Sequence, residues 1–244
     1  MQFLGIIPAR FQSSRFPGKP LVNIAGIPMI DRVYKQARKS KLLDRVVVAT
    51  DSEIIFDHCK NAKIDVLMTS DKHQSGTDRI AEVARTSKTE VVVNIQGDEP
   101  FIPPMYIDQL CQLFLQHKIE IATLIAPIKD EEVLSNPNIV KAVTRTDGRA
   151  LYFSRSVIPF HRNLQYEMVL YRHLGIYAFG RKTLLDLADL PQGNLERYEL
   201  LEQLRWLEAG YDIMTSIVSE APIGVDVPDD VGKIEHWMHS NSLR

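Results

Sequence analysis

Short valine-rich runs that break into polar loops constrain this chain more than any other feature. Arg45-Val46-Val47-Val48-Ala49-Thr50-Asp51 and Glu90-Val91-Val92-Val93-Asn94-Ile95-Gln96 are continuous apolar segments without alternation. A strand that is apolar on both sides is buried on both faces, as in a parallel sheet covered by helices. Phe3 to Pro8 and Asp65 to Thr69 have the same character. Between these runs, Met29, Ile30, Val33, Tyr34 and Ala37 follow a 3.6-residue period. Ile54-Ile55-Cys59 and Ile80-Val83-Ala84 are shorter versions, and Pro104 to Gln116 places Ile107, Leu110, Cys111 and Phe114 on one face. Strand–helix alternation predicts an α/β fold with right-handed crossovers and a mostly parallel central sheet.

The second half is richer in strands. Ile121–Ala126, Val140–Thr144, Ala150–Ser154, His173–Phe179 and Ile213–Ser216 read as strands. Thr183–Leu190, Glu196–Glu208 and Asp229–His239 read as helices. With no repeat, low-complexity tract or linker, residues 1–244 are expected to form a single domain, its second half adding a small β-rich layer. Twenty-nine basic and 31 acidic side chains give a net charge of −2, which excludes a broadly cationic nucleic-acid binder. Cys59 and Cys111 are far apart and lack metal-ligand spacing, so a reducing compartment is expected. No apolar run reaches membrane-spanning length, and Met1–Pro8 lacks a basic leader. The expected location is the cytoplasm, without stable membrane insertion.

Polar residues gather where these strands end. After the first strand come Arg10, Ser13, Ser14, Arg15, Gly18 and Lys19 in one loop. Open α/β sheets bind ligands beyond the carboxyl ends of their strands, and arginine, lysine and backbone N–H groups suit a triphosphate. The loop matches neither GxGxxG nor GxxxxGK[ST], so a dinucleotide site and a P-loop are not indicated. A solvated basic loop remains an equal reading of these residues alone. The fourth strand runs into Gln96-Gly97-Asp98-Glu99-Pro100. Asp98 there suits Mg²⁺, and Gln96 offers a donor and an acceptor to a base or ribose; a polar turn is the plainer alternative. Asp226, flanked by Val225 and Val227, is the second acid expected to share the metal, whereas Asp229 and Asp230 suit a helix start.

Further candidates are His73, Gln74 and Arg79 in a polar loop entering a helix, for nucleotide or second substrate, although an ordinary loop capped by Ser75 or Thr77 is the favoured reading of these residues alone. Arg155 suits a substrate carboxylate. His173 and Tyr177 share a strand face, and Glu199, Glu202 and Gln203 share one side of a helix. Together these suit a hydroxyl-rich acid. Individually, His173 and Tyr177 are ordinary core or interface residues, and Glu202 an ordinary solvated one. No zinc motif or GxSxG elbow occurs, so covalent catalysis is not expected.

The ordered set IIPAR (6–10), SRFPGKPL (14–21), ATD (49–51), HQSGTDR (73–79), NIQGDEP (94–100), LYFSR (151–155), RHLGIY (172–177), LEQLR (201–205) and GVDVP (224–228) resembles the sugar-acid cytidylyltransferases, above all those acting on 3-deoxy-D-manno-octulosonate (Kdo). The resemblance implies a Rossmann-like nucleotidyltransferase fold with a small inserted β-rich dimerisation region, the sugar-binding and dimerisation part lying at about residues 120–190. It implies CTP and Kdo as substrates, CMP-Kdo and pyrophosphate as products, Mg²⁺ as cofactor, a cytoplasmic homodimer and a role in lipopolysaccharide assembly. It carries over Ala9, Arg10, Ser13, Lys19, Gln74 and Gln96 as nucleotide-binding. Asp98 and Asp226 carry over as metal-binding, with Arg10 and Lys19 beside them in catalysis. Arg155, His173, Tyr177, Glu202 and Gln203 carry over as sugar-binding. The stretch Phe160–Tyr171 is shorter than in some relatives, which bears on dimer geometry. Cytidylyltransferases for an amino-Kdo or an N-acylneuraminate, a nucleotidyltransferase using another NTP and a non-catalytic nucleotide-binding module are the alternatives.

Overall fold

The valine-rich runs form strands, and their registers fix which loops become neighbours. The computed structural model describes residues 1–12, 16–129, 134–163 and 165–241. These divide into two compact units, Met1–Cys111 with Pro222–Arg244, and Gln112–Ala221.

In the first unit, β1 (Phe3–Ala9) leads through a 3₁₀ turn (Lys19–Leu21) to a small hairpin, β2 (Asn23–Ile24) and β3 (Ile27–Pro28). There follow α1 (Met29–Ala37), β4 (Arg45–Thr50), α2 (Glu53–Asn61), β5 (Val66–Met68), α3 (Gly76–Thr86), β6 (Val91–Asn94) and α4 (Pro104–Gln116), the last crossing the boundary between the units. The terminal helix Asp229–Ser240 also belongs to the first unit. The strands lie in the order β6-β1-β4-β5, and all three pairings are parallel. Ile6 sits between Val47 on one side and Asn94 on the other. Ile6, Ile7, Val47, Val48, Val92 and Val93 are fully buried, each contributing about 1.5–3 kcal/mol by leaving water. Helix α3 starts at a capping box in which Ser75 and Asp78 each accept the other's backbone N–H.

Because β1 and β6 are adjacent and parallel, the loops after Ala9 and Asn94 emerge side by side. Gly97 makes that approach possible, since a Cβ there would lie 3.0 Å from the Pro8 carbonyl oxygen.

The second unit contains β7 (Ile121–Pro127), β8 (Lys141–Thr144), β9 (Ala150–Ser154), β10 (Tyr171–Gly180), α5 (Arg181–Ala188), α6 (Asn194–Glu199), α7 (Gln203–Glu208) and β11 (Ile213–Ile217). Here β11 pairs parallel to β7, whereas β7–β10, β10–β8 and β8–β9 are antiparallel. The helix expected over Glu196–Glu208 is two helices, interrupted where Leu200 takes a left-handed conformation with φ 52°. Strand β10 carries a register shift between Leu174 and Tyr177. Among the described residues, no helix is long and apolar enough to cross a membrane.

Candidate active site

In the first unit, β1 delivers Arg10 to the carboxyl edge of the sheet. The Arg10 nitrogen Nη2 is buried and has no hydrogen-bond partner among the described residues. Its pKa is lowered, first by burial and then by the nearby charge of Arg79. Asp51 and Asp78 act in the opposite direction, and a half-buried guanidinium with one nitrogen left without a protein partner among the described residues suits an anion. Arg79 itself is fully buried, donating to Asp51 Oδ2 and to Thr69 Oγ1 at 2.5 Å each. It is an internal strut that ties α3 to the end of β4. His73 pairs with Glu82, which also accepts the Ser70 N–H at 2.9 Å, so these bonds shape the loop before α3.

Lys19 joins the two candidate acids. Its Nζ donates to Asp98 Oδ2 at 2.8 Å and lies 3.9 Å from Asp226 Oδ1. It also donates to the Val225 carbonyl at 2.9 Å. The Val225 N–H in turn donates to the Asp98 carbonyl at 2.9 Å, stitching the two acid-bearing segments together. The Asp226 and Val227 N–H groups donate to Asp230 Oδ2 at 3.0 and 3.1 Å. This second tie was not legible from the sequence, where Asp230 reads only as a helix-start residue.

A cavity of about 360 Å³ opens here, lined among others by Arg10, Gln12, Lys19, Gln96, Gly97 and Asp98. That volume lies within the range of small-molecule sites. Ala9 is buried at the end of β1 and lines the cavity. Gln74 is exposed in the loop before α3 and is not part of the cavity wall. Ser13 and Arg15 lie outside the described residues. Among the described residues, no group of three or more His, Cys, Asp and Glu is arranged to hold a metal. Two carboxylates around one cationic group are nonetheless a donor set that suits Mg²⁺, which takes one or two carboxylates and completes its shell with water and substrate phosphate.

In the second unit, Arg155 donates through Nε to the Glu199 carbonyl at 2.6 Å and through Nη1 to the Pro137 carbonyl at 2.8 Å. The Glu199 carboxylate accepts the Arg155 N–H at 2.9 Å and the Ser154 hydroxyl at 2.6 Å. The His173 ring lies 5.2 Å from that of Tyr177, and Tyr177 meets Trp206 edge-on at 5.1 Å. The Tyr177 hydroxyl is buried without a partner among the described residues, and its pKa is raised well above the usual range, first by burial and then by Glu202. Burial pushes His173 down to about 3, so its imidazole is neutral at pH 7. Gln203 is buried at the start of α7, directly after Glu202. The structure thus brings His173 and Tyr177 together, with the Glu202 charge near Tyr177, and ties Arg155 to the segment just before Glu202.

Comparison with known proteins places the whole chain. A family model described as cytidylyltransferase matches residues 4–213. A 3-deoxy-manno-octulosonate cytidylyltransferase of Parabacteroides distasonis is 46% identical over 244 residues, covering 96% of each chain. The chain belongs to the CMP-Kdo synthetase family. Its relative from Bacteroides thetaiotaomicron is 45% identical, covering 99% of this chain and all of the other. A solved CMP:2-keto-3-deoxy-manno-octonic acid synthetase complexed with CTP is 38% identical, with a TM-score of 0.94 over 99% of this chain and all of the other. This CMP-Kdo synthetase family member therefore has a Rossmann-like α/β nucleotidyltransferase fold. The cytidylyltransferase match ends at residue 213, before Asp226, so what places Asp226 beside Asp98 is their common neighbour Lys19.

Proposed function

We infer that this enzyme transfers the CMP group of CTP to the anomeric C2 hydroxyl of Kdo, forming CMP-Kdo and releasing pyrophosphate for lipopolysaccharide assembly. One observation carries the reading in a chain of this family. A lysine ammonium contacts carboxylates from two distant parts of the sequence, in the unit where a buried arginine nitrogen lacks a partner. Asp98 and Asp226 are the residues that hold Mg²⁺, which when bound withdraws charge from the phosphate oxygens. Arg10 and Lys19 offset negative charge on the β- and γ-phosphates and so favour departure of pyrophosphate. Ala9, Ser13 and Gln96 orient the nucleotide, and Arg155, His173, Tyr177, Glu202 and Gln203 hold the sugar acid. The C2 hydroxyl gives its proton to water as its oxygen bonds to the α-phosphorus and the bond to the bridging oxygen of pyrophosphate breaks. Positioning and charge stabilisation are sufficient, and no protein nucleophile takes part. The working form in this reading is a cytoplasmic homodimer, assembled through the region of about residues 120–190.

The test is phosphate detection after pyrophosphatase treatment, with four NTPs and a panel of acidic sugars. Release is expected with CTP and Kdo together and at background without either. CTP binding with no release for any sugar acid would instead identify a non-catalytic nucleotide-binding module. Preferential turnover of an amino-Kdo or an N-acylneuraminate would move the assignment to that sugar.

A further inference from the structure

Thr123, in the middle of β7, is fully buried and uses one hydroxyl for three contacts. Its Oγ1 lies 3.1 Å from the Leu174 carbonyl oxygen, 2.8 Å from that of Ile176 and 2.9 Å from His173 Nε2. These contacts sit at the register shift of β10, where Leu174 pairs with Leu124 but Tyr177 pairs with Thr123. The irregularity turns two carbonyls toward one side chain, which a regular ladder would have used itself.

The proton inventory then determines the state of the histidine. A threonine hydroxyl has one proton and two lone pairs, and a carbonyl only accepts. The hydroxyl proton therefore goes to the Leu174 or Ile176 carbonyl. What remains for His173 is a lone pair, so Nε2 must carry the proton and donate. Nδ1 is then the bare nitrogen of a neutral ring, and it has no hydrogen-bond partner among the described residues.

We propose that Thr123 is a positioning residue that locks His173 in the Nε2–H form, so that Nδ1 meets the sugar acid as a hydrogen-bond acceptor for one of its hydroxyls. This rests on the assignment of His173 to sugar binding and deepens it. A bare Nδ1 takes a hydroxyl proton and offers nothing to a carboxylate, so the sugar's acid group must be bound by other residues. The depressed pKa of His173 agrees with a ring that stays neutral.

Nitrogen-15 NMR of the full-length enzyme at pH 7, with the His173 signals assigned by their loss in His173→Asn, reads the tautomer directly. A proton on Nε2 and a bare Nδ1 are expected, and a proton on Nδ1 overturns the proposal. Thr123→Val should raise KM for Kdo about fivefold, the order of one lost hydrogen bond, leave KM for CTP unchanged and shift the His173 signals toward a tautomer mixture. Thr123→Ser, which keeps the hydroxyl, should restore both. A variant that only melts earlier, with the Kdo KM and His173 signals unmoved, overturns the positioning role. His173→Asn, which keeps an acceptor near the Nδ1 position, should retain tighter Kdo binding than His173→Gln, and the reverse order overturns the assignment of Nδ1 to the sugar. Absence of Kdo-dependent turnover in the unmodified enzyme would remove the sugar assignment while leaving the tautomer measurement intact.

Discussion

At the scale of single residues, the candidate site is a matter of which charges are satisfied. Lys19 has two hydrogen-bond acceptors and a second carboxylate within ion-pair distance, whereas the buried Arg10 Nη2 has no partner among the described residues. Asp98 is the nearer of the two acids to Lys19 and is partly exposed. Asp98→Asn keeps the size of the side chain and removes its charge. Turnover should fall by about two orders of magnitude or more, comparable to losing one preorganised electrostatic group. The melting temperature should fall by no more than a few degrees, because the amide keeps an oxygen to accept the Lys19 hydrogen bond in this part-buried pair. Pyrophosphate release and thermal melts check the two halves of this expectation, and Mg²⁺-dependent turnover near the unmodified level would exclude Asp98 as a metal ligand. The two cysteines give the opposite case, chemistry suppressed by burial. Cys59 and Cys111 are fully buried, and desolvation pushes each thiol up to about 12. Since the thiolate is the reactive form, a thiol reagent at pH 8 should modify neither in the folded enzyme and both in denaturant. Rapid native labelling would show that the environment of at least one is open.

At the scale of elements, the departures from expectation have local causes. Leu200, Leu201, Leu204 and Leu207 suggest one helical face, yet Leu200 adopts φ 52° and separates α6 from α7. Apolar spacing reports a shared face but not a single left-handed residue. The Leu200 side chain is 73% exposed, so little packing holds it there. Leu200→Gly removes the clash of a Cβ in left-handed backbone, about 1–2 kcal/mol, against a comparable entropic cost in the unfolded chain. The variant should therefore melt within a few degrees of the parent, whereas an ordinary helix-interior Leu→Gly would be clearly destabilising. A large drop in melting temperature would mean that the Leu200 side chain itself holds the break. The β2–β3 hairpin leaves no turn signal in the sequence for a related reason. Its turn residues Ala25 and Gly26 have φ 47° and 78°, and alanine is not a residue that signals two positive φ angles. The Val-rich strands were legible because burial on both faces imprints composition directly. Asp98 was legible because it follows such a strand, and Asp226 because valines flank it. The bonds to Asp230 and the triple contact at Thr123 were not, since each depends on where a backbone group points after folding.

At the scale of the whole molecule, strand order was hidden from the sequence, because a run of valines does not name its neighbour. Burial also leaves a global signature in how stability responds to pH. His173 titrates near 6.5 in an unfolded chain and is pushed down to about 3 in the folded one by desolvation. Between those values the unfolded state binds the extra proton, so acidification favours unfolding. The contribution is fully present above about pH 6.5 and is lost progressively as pH falls toward 3. Carboxylates with lowered folded-state pKa values add a similar slope, but mostly below about pH 5. The interval from pH 6.5 to 5 is therefore where His173 should be most visible. Urea unfolding midpoints measured across that interval should fall for the unmodified enzyme. His173→Asn is less stable at pH 7 in absolute terms, but its midpoint should change less between pH 6.5 and 5. Parallel curves for the two proteins would mean that the folded ring takes up its proton as readily as the unfolded one, and the neutral Nε2–H form would then not survive mild acid.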